Sequence, residues 1–134
     1  MNEAPKNLIY IAPVFQVADI PRSLSFYRDQ LGFQVDFVFE SLYAGVSRDG
    51  CHIHLKHSIP TPRDQRTFEE KEHIDVCIGV GRAEELSASF AAAAVPFVGA
   101  LRKASYGTEF YVRDPDGYIL GFVQSAPTSH DRGA

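Results

Sequence analysis

Residues 17–33 read VADIPRSLSFYRDQLGF, and this stretch decides the first part of the fold. Asp19 is a favourable N-cap for a helix, and Gly32 fits the left-handed residue that often ends one. Apolar residues recur between them at spacings of three and four, which predicts an amphipathic helix leading into a strand. The predicted apolar face consists of Leu24, Tyr27 and Leu31.

An alternating run follows this helix and indicates a strand over residues 33–39. Two further strands, 43–48 and 51–56, flank Asp49-Gly50, a pair that favours a tight hairpin because glycine tolerates positive φ. In the strand predicted at 33–39, the residues expected to share one face are Phe33, Val35, Phe37 and Phe39.

The order strand, helix and three strands occurs twice along the chain. Residues 9–17 are strand-like before the first helix, and Pro13 is expected at a strand start, an edge or a bulge because proline cannot donate to a ladder. The second copy is predicted to contain a strand at 73–80, a helix at 83–94, and strands at 97–102, 108–113 and 118–124.

Two strand-rich copies in 134 residues predict a single α+β domain, residues 1–134. We expect paired βαβββ modules that form an open curled sheet around a cleft, where a small molecule can bind. The predicted segments are a first module (9–56), a linker (57–72), a second module (73–124) and a tail (125–134).

Composition and charge do not favour a nucleic-acid or membrane partner. Hydrophobic residues make up 45%, charged residues 22%, and the formal net charge is −4, whereas phosphate binding needs a concentrated basic surface. No apolar run reaches the length of a membrane span, and the first residues lack a signal-peptide pattern. We therefore expect a cytoplasmic protein in which Cys51 and Cys77, both in predicted strands, are reduced and buried.

Two motifs, the stretch at 17–33 and Phe110-Tyr111-Val112-Arg113-Asp114-Pro115-Asp116-Gly117, resemble the glyoxalase / bleomycin-resistance / extradiol-dioxygenase superfamily. This superfamily is also called the vicinal oxygen chelate proteins. The resemblance implies two βαβββ modules that curl into an open barrel around a cavity. It also implies a homodimer in which both chains build each cavity.

Enzymes of this superfamily hold a divalent metal with side chains from four strand positions. The resemblance places Ala12, His54, His73 and Gly121 at these positions, so two of the four offer no ligand. A catalytic metal normally needs about three protein ligands. The cofactor expectation is therefore no cofactor, or a divalent Zn, Ni, Mn or Fe held by His54, His73 and a third ligand. Candidates for the third ligand are Glu40, Asp75 and Glu109.

Each histidine also has an ordinary interpretation. His52 and His54 lie two residues apart on one strand face, which suits either a metal pair or a partly solvated surface with a simple hydrogen bond. His73 opens a strand after an acidic stretch, where neighbouring carboxylates favour its charged form. The pattern alone leaves both interpretations open.

Loss of metal ligands is typical of the antibiotic-binding branch, whose aromatic side chains stack on flat ligands. The resemblance to this branch implies a site for a planar or cationic molecule. Tyr106 stands where the branch often has tryptophan, and the alternating pattern also fits simple core packing of Phe37. The implied ligand-binding residues are Asp36, Phe37, Tyr43, Tyr106 and Glu109.

Three functions follow from these observations. The first is a binding protein that sequesters a planar or cationic molecule in a dimeric cleft without chemistry. The second is a metal-dependent glyoxalase-like lyase or dioxygenase that uses His54 and His73 to polarise vicinal oxygens. The third is an interaction module that kept only the fold.

Overall fold

The structure, a computed structural model, describes residues 5–58 and 73–127. Within these ranges the chain forms two short helices, a π-helical segment and two four-stranded sheets. The first module contains β1 (Val14–Val17), α1 (Ile20–Ser25), the π-helical segment (Phe26–Gln30), β2 (Gln34–Phe39), β3 (Tyr43–Arg48) and β4 (Cys51–His57). The second contains β5 (Val76–Gly79), α2 (Ala83–Ala92), β6 (Phe97–Ala104), β7 (Gly107–Arg113) and β8 (Ile119–Ser125).

The two sheets have the same topology. The strand orders are β1-β4-β3-β2 and β5-β8-β7-β6, and the first strand of each module pairs in parallel with the last. The other neighbouring strands are antiparallel. The predicted α+β class with paired βαβββ modules is confirmed.

The predicted N-cap of α1 is present, and the predicted C-terminal glycine follows the π-helical segment that continues α1 to Gln30. Oδ1 of Asp19 accepts a hydrogen bond from the backbone N–H of Arg22 at 3.1 Å, and Gly32 has a φ of +78°. The hairpin prediction also holds, because Asp49 and Gly50 have φ values of +52° and +80° and connect paired Arg48 and Cys51.

The first strand is shorter than predicted, since β1 begins at Val14 rather than at residue 9. The carbonyl of Pro13 accepts a hydrogen bond from the N–H of His54 at 2.9 Å, but proline has no N–H to donate. The residues before it leave the sheet, and Leu8, Ile9 and Ile11 are exposed. The second module likewise begins its strand late, at Val76.

A β-bulge at Asp36 overturns the prediction that four residues of β2 share one face. Val35 pairs with Val46 and Phe37 pairs with Gly45, so one extra residue lies between the two pairs. The bulge reverses the alternation from that point, because two residues now oppose one. Phe33 is buried in the core, whereas Phe37 is 41% exposed on the other side of the sheet.

The expectation of buried cysteines is wrong for both residues, which are exposed free thiols. Cys51 is the first residue of β4, directly after the hairpin turn. Cys77 lies on β5 between Val76 and Ile78, which pack against the core, so its side chain points the other way. Of the predicted linker and tail, residues 59–72 and 128–134 lie outside the described ranges.

One hydrophobic core joins the two modules. It is completed by polar contacts from the first module to the Asp114–Gly117 turn of the second. The hydroxyl of Tyr27 donates to Oδ2 of Asp114 at 2.8 Å, and the backbone N–H of Ala18 donates to Oδ1 of Asp116 at 3.0 Å. The largest fully buried core side chains include Tyr27, Phe90, Phe110, Ile20, Leu31, Ile53, Leu55 and Leu120.

Each sheet therefore has two different faces. The helix face carries the apolar side chains that pack in the core, such as Val46 and Leu55 on the first sheet and Phe110 and Val112 on the second. The opposite side, which we call the open face, carries the alternate residues of the same strands. All the predicted ligand-binding residues on β3 and β7 lie on open faces.

Candidate ligand-binding site

Four aromatic rings gather on the open face of the first sheet and form what we call the ring cluster: Tyr10, Phe37, Tyr43 and His54. The rings of Phe37 and Tyr43 are nearly parallel, with centroids 6.1 Å apart, and the His54 ring stands edge-on to both. The Tyr43 hydroxyl lies 2.8 Å from Nδ1 of His54, and the Tyr10 hydroxyl lies 3.2 Å from Nε2. Both imidazole nitrogens are thus engaged by phenols.

The backbone makes room for this cluster. A Cβ at Gly45 would overlap the Phe37 ring, so glycine at this position lets the ring lie across β3. Burial lowers the pKa of His54 below 6.5, and the neighbouring His52 lowers it further, while Asp36 partly opposes this. The neutral imidazole can donate to one phenol and accept from the other.

Asp36 supports the edge of the ring cluster. Its Oδ1 accepts hydrogen bonds from Ser47 and from Gln34, both at 3.0 Å, and its Oδ2 lies 3.6 Å from Nδ1 of His52. The His52 ring stacks on Tyr10 with centroids 4.0 Å apart. The bulge thus delivers two predicted ligand-binding residues, Asp36 and Phe37, to the open face.

A second polar group occupies the open face of the other sheet, and we call it the Glu109 cluster: Arg102, Tyr106, Glu109 and Tyr111. Glu109 is only 2% exposed. Its Oε2 accepts from Nε and Nη2 of Arg102, both at 2.5 Å, and from the Tyr106 hydroxyl at 2.6 Å. Its Oε1 accepts from the Tyr111 hydroxyl at 2.7 Å.

These contacts fix the charge states within the cluster. Burial opposes ionisation of Glu109, but the hydrogen bonds from Tyr106, Tyr111 and Arg102 outweigh it and lower its pKa. Burial and the hydrogen bond to Glu109 raise the pKa of Tyr111 to about 12. The hydrogen bond to Glu109 likewise raises the pKa of Tyr106. At neutral pH the cluster contains one carboxylate, one guanidinium and two neutral phenols.

Sequence reasoning named Tyr106 and Glu109 but missed Arg102 and Tyr111. Tyr111 follows Glu109 by two residues in a strand, and this spacing alone puts both on one face. The β6–β7 hairpin turns at residues 105–106, and its register places Arg102 opposite Glu109. The predicted strands, 97–102 and 108–113, left residues 103–107 between them, so the tight turn and this register could not be read from the sequence.

The Tyr111 ring covers the fourth metal position of the superfamily. A Cβ at Gly121 would lie 2.9 Å from Cε1 of Tyr111, and a Cβ at Gly99 would lie 2.9 Å from its Cδ2. Glycines on both neighbouring strands therefore form a seat for this ring. Position 121 lacks a carboxylate, and its space is taken by a phenol.

The remaining metal candidates lie in different surroundings. Nε2 of His73 is 3.5 Å from Oδ1 of Asp75, whose Oδ2 accepts from the N–H of Ile119 at 2.8 Å. Glu40 lies in the β2–β3 turn with a φ of +49°, and Glu109 is held by its own cluster. Over the described ranges, no group of three His, Cys, Asp or Glu residues is arranged to hold a metal. The described donors, as placed, do not fit a catalytic metal centre.

Among the residues that the structure describes, two cavities are found where the modules meet, and residues outside the predicted set line both. The larger has a volume of about 740 Å³, with Phe33 and Arg48 from the first module and Leu86 and Phe122 from the second among its lining. The smaller, about 270 Å³, lies between β4 and β5.

One known protein family matches most of this chain. The sequence model of the Glyoxalase/Bleomycin resistance protein/Dioxygenase superfamily matches residues 9–122. The chain belongs to this superfamily. The resemblance carried by residues 17–33 and 110–117 is confirmed.

Solved structures of the superfamily share the fold over most of this chain. A bleomycin-binding protein from bleomycin-producing Streptomyces verticillus, complexed with copper(II)-bleomycin, is 27% identical and has a TM-score of 0.67. The match covers 91% of this chain and 100% of that one. A glyoxalase/bleomycin resistance protein/dioxygenase from Alicyclobacillus acidocaldarius is 14% identical with a TM-score of 0.75, covering 88% and 92%.

An antibiotic binding protein from Streptomyces sp. CB03234, TnmS3, is 15% identical with a TM-score of 0.68, covering 93% of this chain and 100% of that one. At this identity the likeness concerns the fold. The comparison with curated proteins found no match. In the part of the chain that the structure describes, no helix has the length and apolar character needed to cross a bilayer.

Proposed function

We propose that this protein binds a small planar or cationic molecule in a cleft of a homodimer, sequestering it without chemistry. The ring cluster is the observation that carries the proposal. Its four rings lie on a sheet face that the hydrophobic core leaves open, and a bulge and a glycine place Phe37 there. Aromatic faces give a large contact area at little entropic cost, and they attract flat or positively charged groups.

The superfamily and the bleomycin-binding protein that is 27% identical support a binding role. The engagement of both His54 nitrogens supports binding over metal chemistry, since ligation would have to break a hydrogen bond to Tyr10 or Tyr43. The competing function is a lyase or dioxygenase with a divalent metal at His54 and His73. Metal content distinguishes the two.

The binding test uses the full chain and a panel of planar and cationic ligands that includes copper(II)-bleomycin. Tyrosine fluorescence and calorimetry both suit a chain with six tyrosines and no tryptophan. We expect Phe37→Ala to weaken binding about two- to tenfold, because one stacked ring is worth about 0.5–1.5 kcal/mol. Val38→Ala is the matched control, since Val38 pairs with Ala44, a core residue of the helix face.

Failure of every planar and cationic ligand in the panel to bind, or equal affinities of the Phe37→Ala and Val38→Ala variants, would contradict the proposal. In a second experiment, the protein is exposed to Ni, Zn, Mn and Fe, purified, and its bound metal is measured. About one equivalent of bound metal per chain, lost in His54→Ala and in His73→Ala, would favour the enzyme instead.

A further inference from the structure

The larger cavity at the junction of the two modules is separate from the ring cluster. Its described lining contains none of the four ring-cluster residues, but it includes Phe33, Phe90 and Phe122 of the hydrophobic core. The cavity therefore lies on the helix-face side of the sheets. Its volume, about 740 Å³, is within the range of about 300–1,000 Å³ that is usual for small-molecule sites. It offers room for a ligand beyond the one in the proposed function.

One part of the cavity wall is apolar. Ile78 on β5, Val80 directly after this strand and Leu86 on α2 line the cavity, and all three are only partly buried against the core. Gly79 and Gly81 also line it, and a Cβ at either position would meet nothing within 4 Å. A ligand that covers this wall would remove apolar surface from water, which favours binding.

Arg48 brings a positive charge to the same cavity from the first module. Its Nη1 donates to the carbonyl of Leu31 at 2.7 Å, and this contact holds the side chain in place. The Oδ2 atom of Asp49 lies 3.9 Å from Nε of Arg48, which is too far for a hydrogen bond. Because a guanidinium has several N–H donors, Arg48 can still bind a carboxylate or a sulfonate.

The other charged residues of the lining are more exposed to solvent. The side chains of Asp49, Arg82 and Glu85 are each at least 70% exposed, whereas that of Arg48 is 38% exposed. Arg82 and Glu85 also form an ion pair, with Nε and Oε2 at 2.8 Å. Solvent screens exposed charges most strongly, so the guanidinium of Arg48 determines which charge the cavity prefers. That preference is for an anion.

We propose that the larger cavity is a second binding site, which takes an amphipathic anion: a molecule with an apolar ring or chain and one carboxylate or sulfonate. The apolar part lies against Ile78, Val80 and Leu86, and Arg48 binds the acidic group. This site has the opposite charge preference from the ring cluster, for which the proposed ligand is planar or cationic.

The test compares two dyes that share the same rings. One is 8-anilinonaphthalene-1-sulfonate, and the other is N-phenyl-1-naphthylamine, which lacks the sulfonate. Both dyes fluoresce more strongly in apolar surroundings, so titration of the full chain gives both affinities. We expect the sulfonate dye to bind at least fivefold more tightly than the uncharged dye, because only the sulfonate can pair with Arg48.

Three variants test the parts of the site. Arg48→Met should reduce the preference for the sulfonate dye to within twofold, while the affinity for the uncharged dye is retained. Arg28→Met makes the same change in net charge at an exposed arginine outside the described lining, and it should leave the preference unchanged. Gly79→Phe puts a ring into the open space and should weaken binding of both dyes at least tenfold.

Cys51 reports where the sulfonate dye binds. It is an exposed free thiol that lines the larger cavity, whereas the exposed thiol of Cys77 is not part of the described lining. We expect saturating sulfonate dye to slow alkylation of Cys51 by N-ethylmaleimide at least threefold and to leave the alkylation rate of Cys77 unchanged. Mass spectrometry of the peptides that contain each cysteine measures both rates.

Several results would overturn this inference. They are equal affinities for the two dyes, a preference that survives in Arg48→Met, and no protection of Cys51. Loss of sulfonate-dye binding in Phe37→Ala would also overturn it, because the dye would then occupy the ring cluster. Failure of both dyes to bind would overturn it as well, and would leave the proposed function to its own ligand panel.

Discussion

A glutamate at position 121 would restore a family ligand but would meet the Tyr111 ring. Its Cβ would lie 2.9 Å from Cε1 of Tyr111 and 3.5 Å from Cδ1 of Ile74. We expect Gly121→Glu to lower the free energy of unfolding by about 1–3 kcal/mol, as overpacking usually does. Urea denaturation measures the change.

Two further variants test whether the loss of stability comes from the contact with Tyr111. Gly79→Glu is the control, because a Cβ at Gly79 meets nothing within 4 Å. Adding Tyr111→Ala to Gly121→Glu should recover part of the lost stability by emptying the seat. If Gly121→Glu is as stable as Gly79→Glu, the Tyr111 ring does not occupy the space beside position 121.

Asp114 makes stability depend on pH. Burial raises its pKa to about 6, although hydrogen bonds from the Tyr118 N–H, the Tyr27 hydroxyl and the Asp116 N–H favour the ionised form. The folded protein therefore holds this proton more tightly than the unfolded chain. The resulting stabilisation is complete below about pH 4 and is lost as the pH rises through about 6.

We expect the unfolding free energy of the wild type, relative to Asp114→Asn, to fall by about 2–3 kcal/mol between pH 4 and pH 7. The asparagine can keep the turn hydrogen bonds without an ionisable group. Urea denaturation of both proteins across this pH range gives the difference. Parallel pH profiles would mean that Asp114 does not titrate in this range.

At the scale of elements, the turn after β7 closes onto the start of α1. The Asp116 side chain is 2% exposed, and Oδ1 accepts from the Ala18 N–H at 3.0 Å and from Nη2 of Arg22 at 2.9 Å. The corresponding turn of the first module has Asp49, whose side chain is 91% exposed. The equivalent turns of the two modules thus differ, because the aspartate of the second module contacts the first module whereas Asp49 is exposed to solvent.

This difference supplies a matched pair of variants. Asp116→Ala should lower the free energy of unfolding by about 1–2 kcal/mol, because it removes the acceptor that the Ala18 N–H and Arg22 share between the modules. Asp49→Ala should change it by less than about 0.5 kcal/mol, as exposed sites usually do. Chemical denaturation of both variants tests the contrast, and comparable losses would contradict it.

At the scale of the whole molecule, an apolar segment precedes β1 without cover from the described residues. Leu8, Ile9 and Ile11 are 92%, 83% and 90% exposed. A homodimer, as the superfamily resemblance implies, would give these side chains a surface to bury against.

We expect the double variant Leu8→Glu/Ile11→Glu to weaken dimerisation at least tenfold, because it puts charges into an apolar contact. Sedimentation velocity over micromolar concentrations measures this. Lys6→Glu is the control, since it makes the same change in net charge within the same segment. A wild-type monomer at these concentrations would contradict the dimeric cleft.

Local chemistry in the sequence predicted the elements well. The Asp19 cap, the Gly32 cap and the Asp49-Gly50 turn each depend on residues within a few positions of one another, and all are present. The repeat of these signals was sufficient for the α+β class and for the paired modules. Their physical basis is the backbone conformation that each short segment prefers by itself.

Only the tertiary structure decided which side chains reach the open faces. One unpaired residue at Asp36 reversed the face of Phe37, which no alternation count could reveal because the bulge depends on pairing with β3. The partners of Glu109 and the seat beneath Tyr111 come from strands brought together by hairpin register. Local preference builds the strands, but long-range packing determines what each side chain contacts and therefore what the site can recognise.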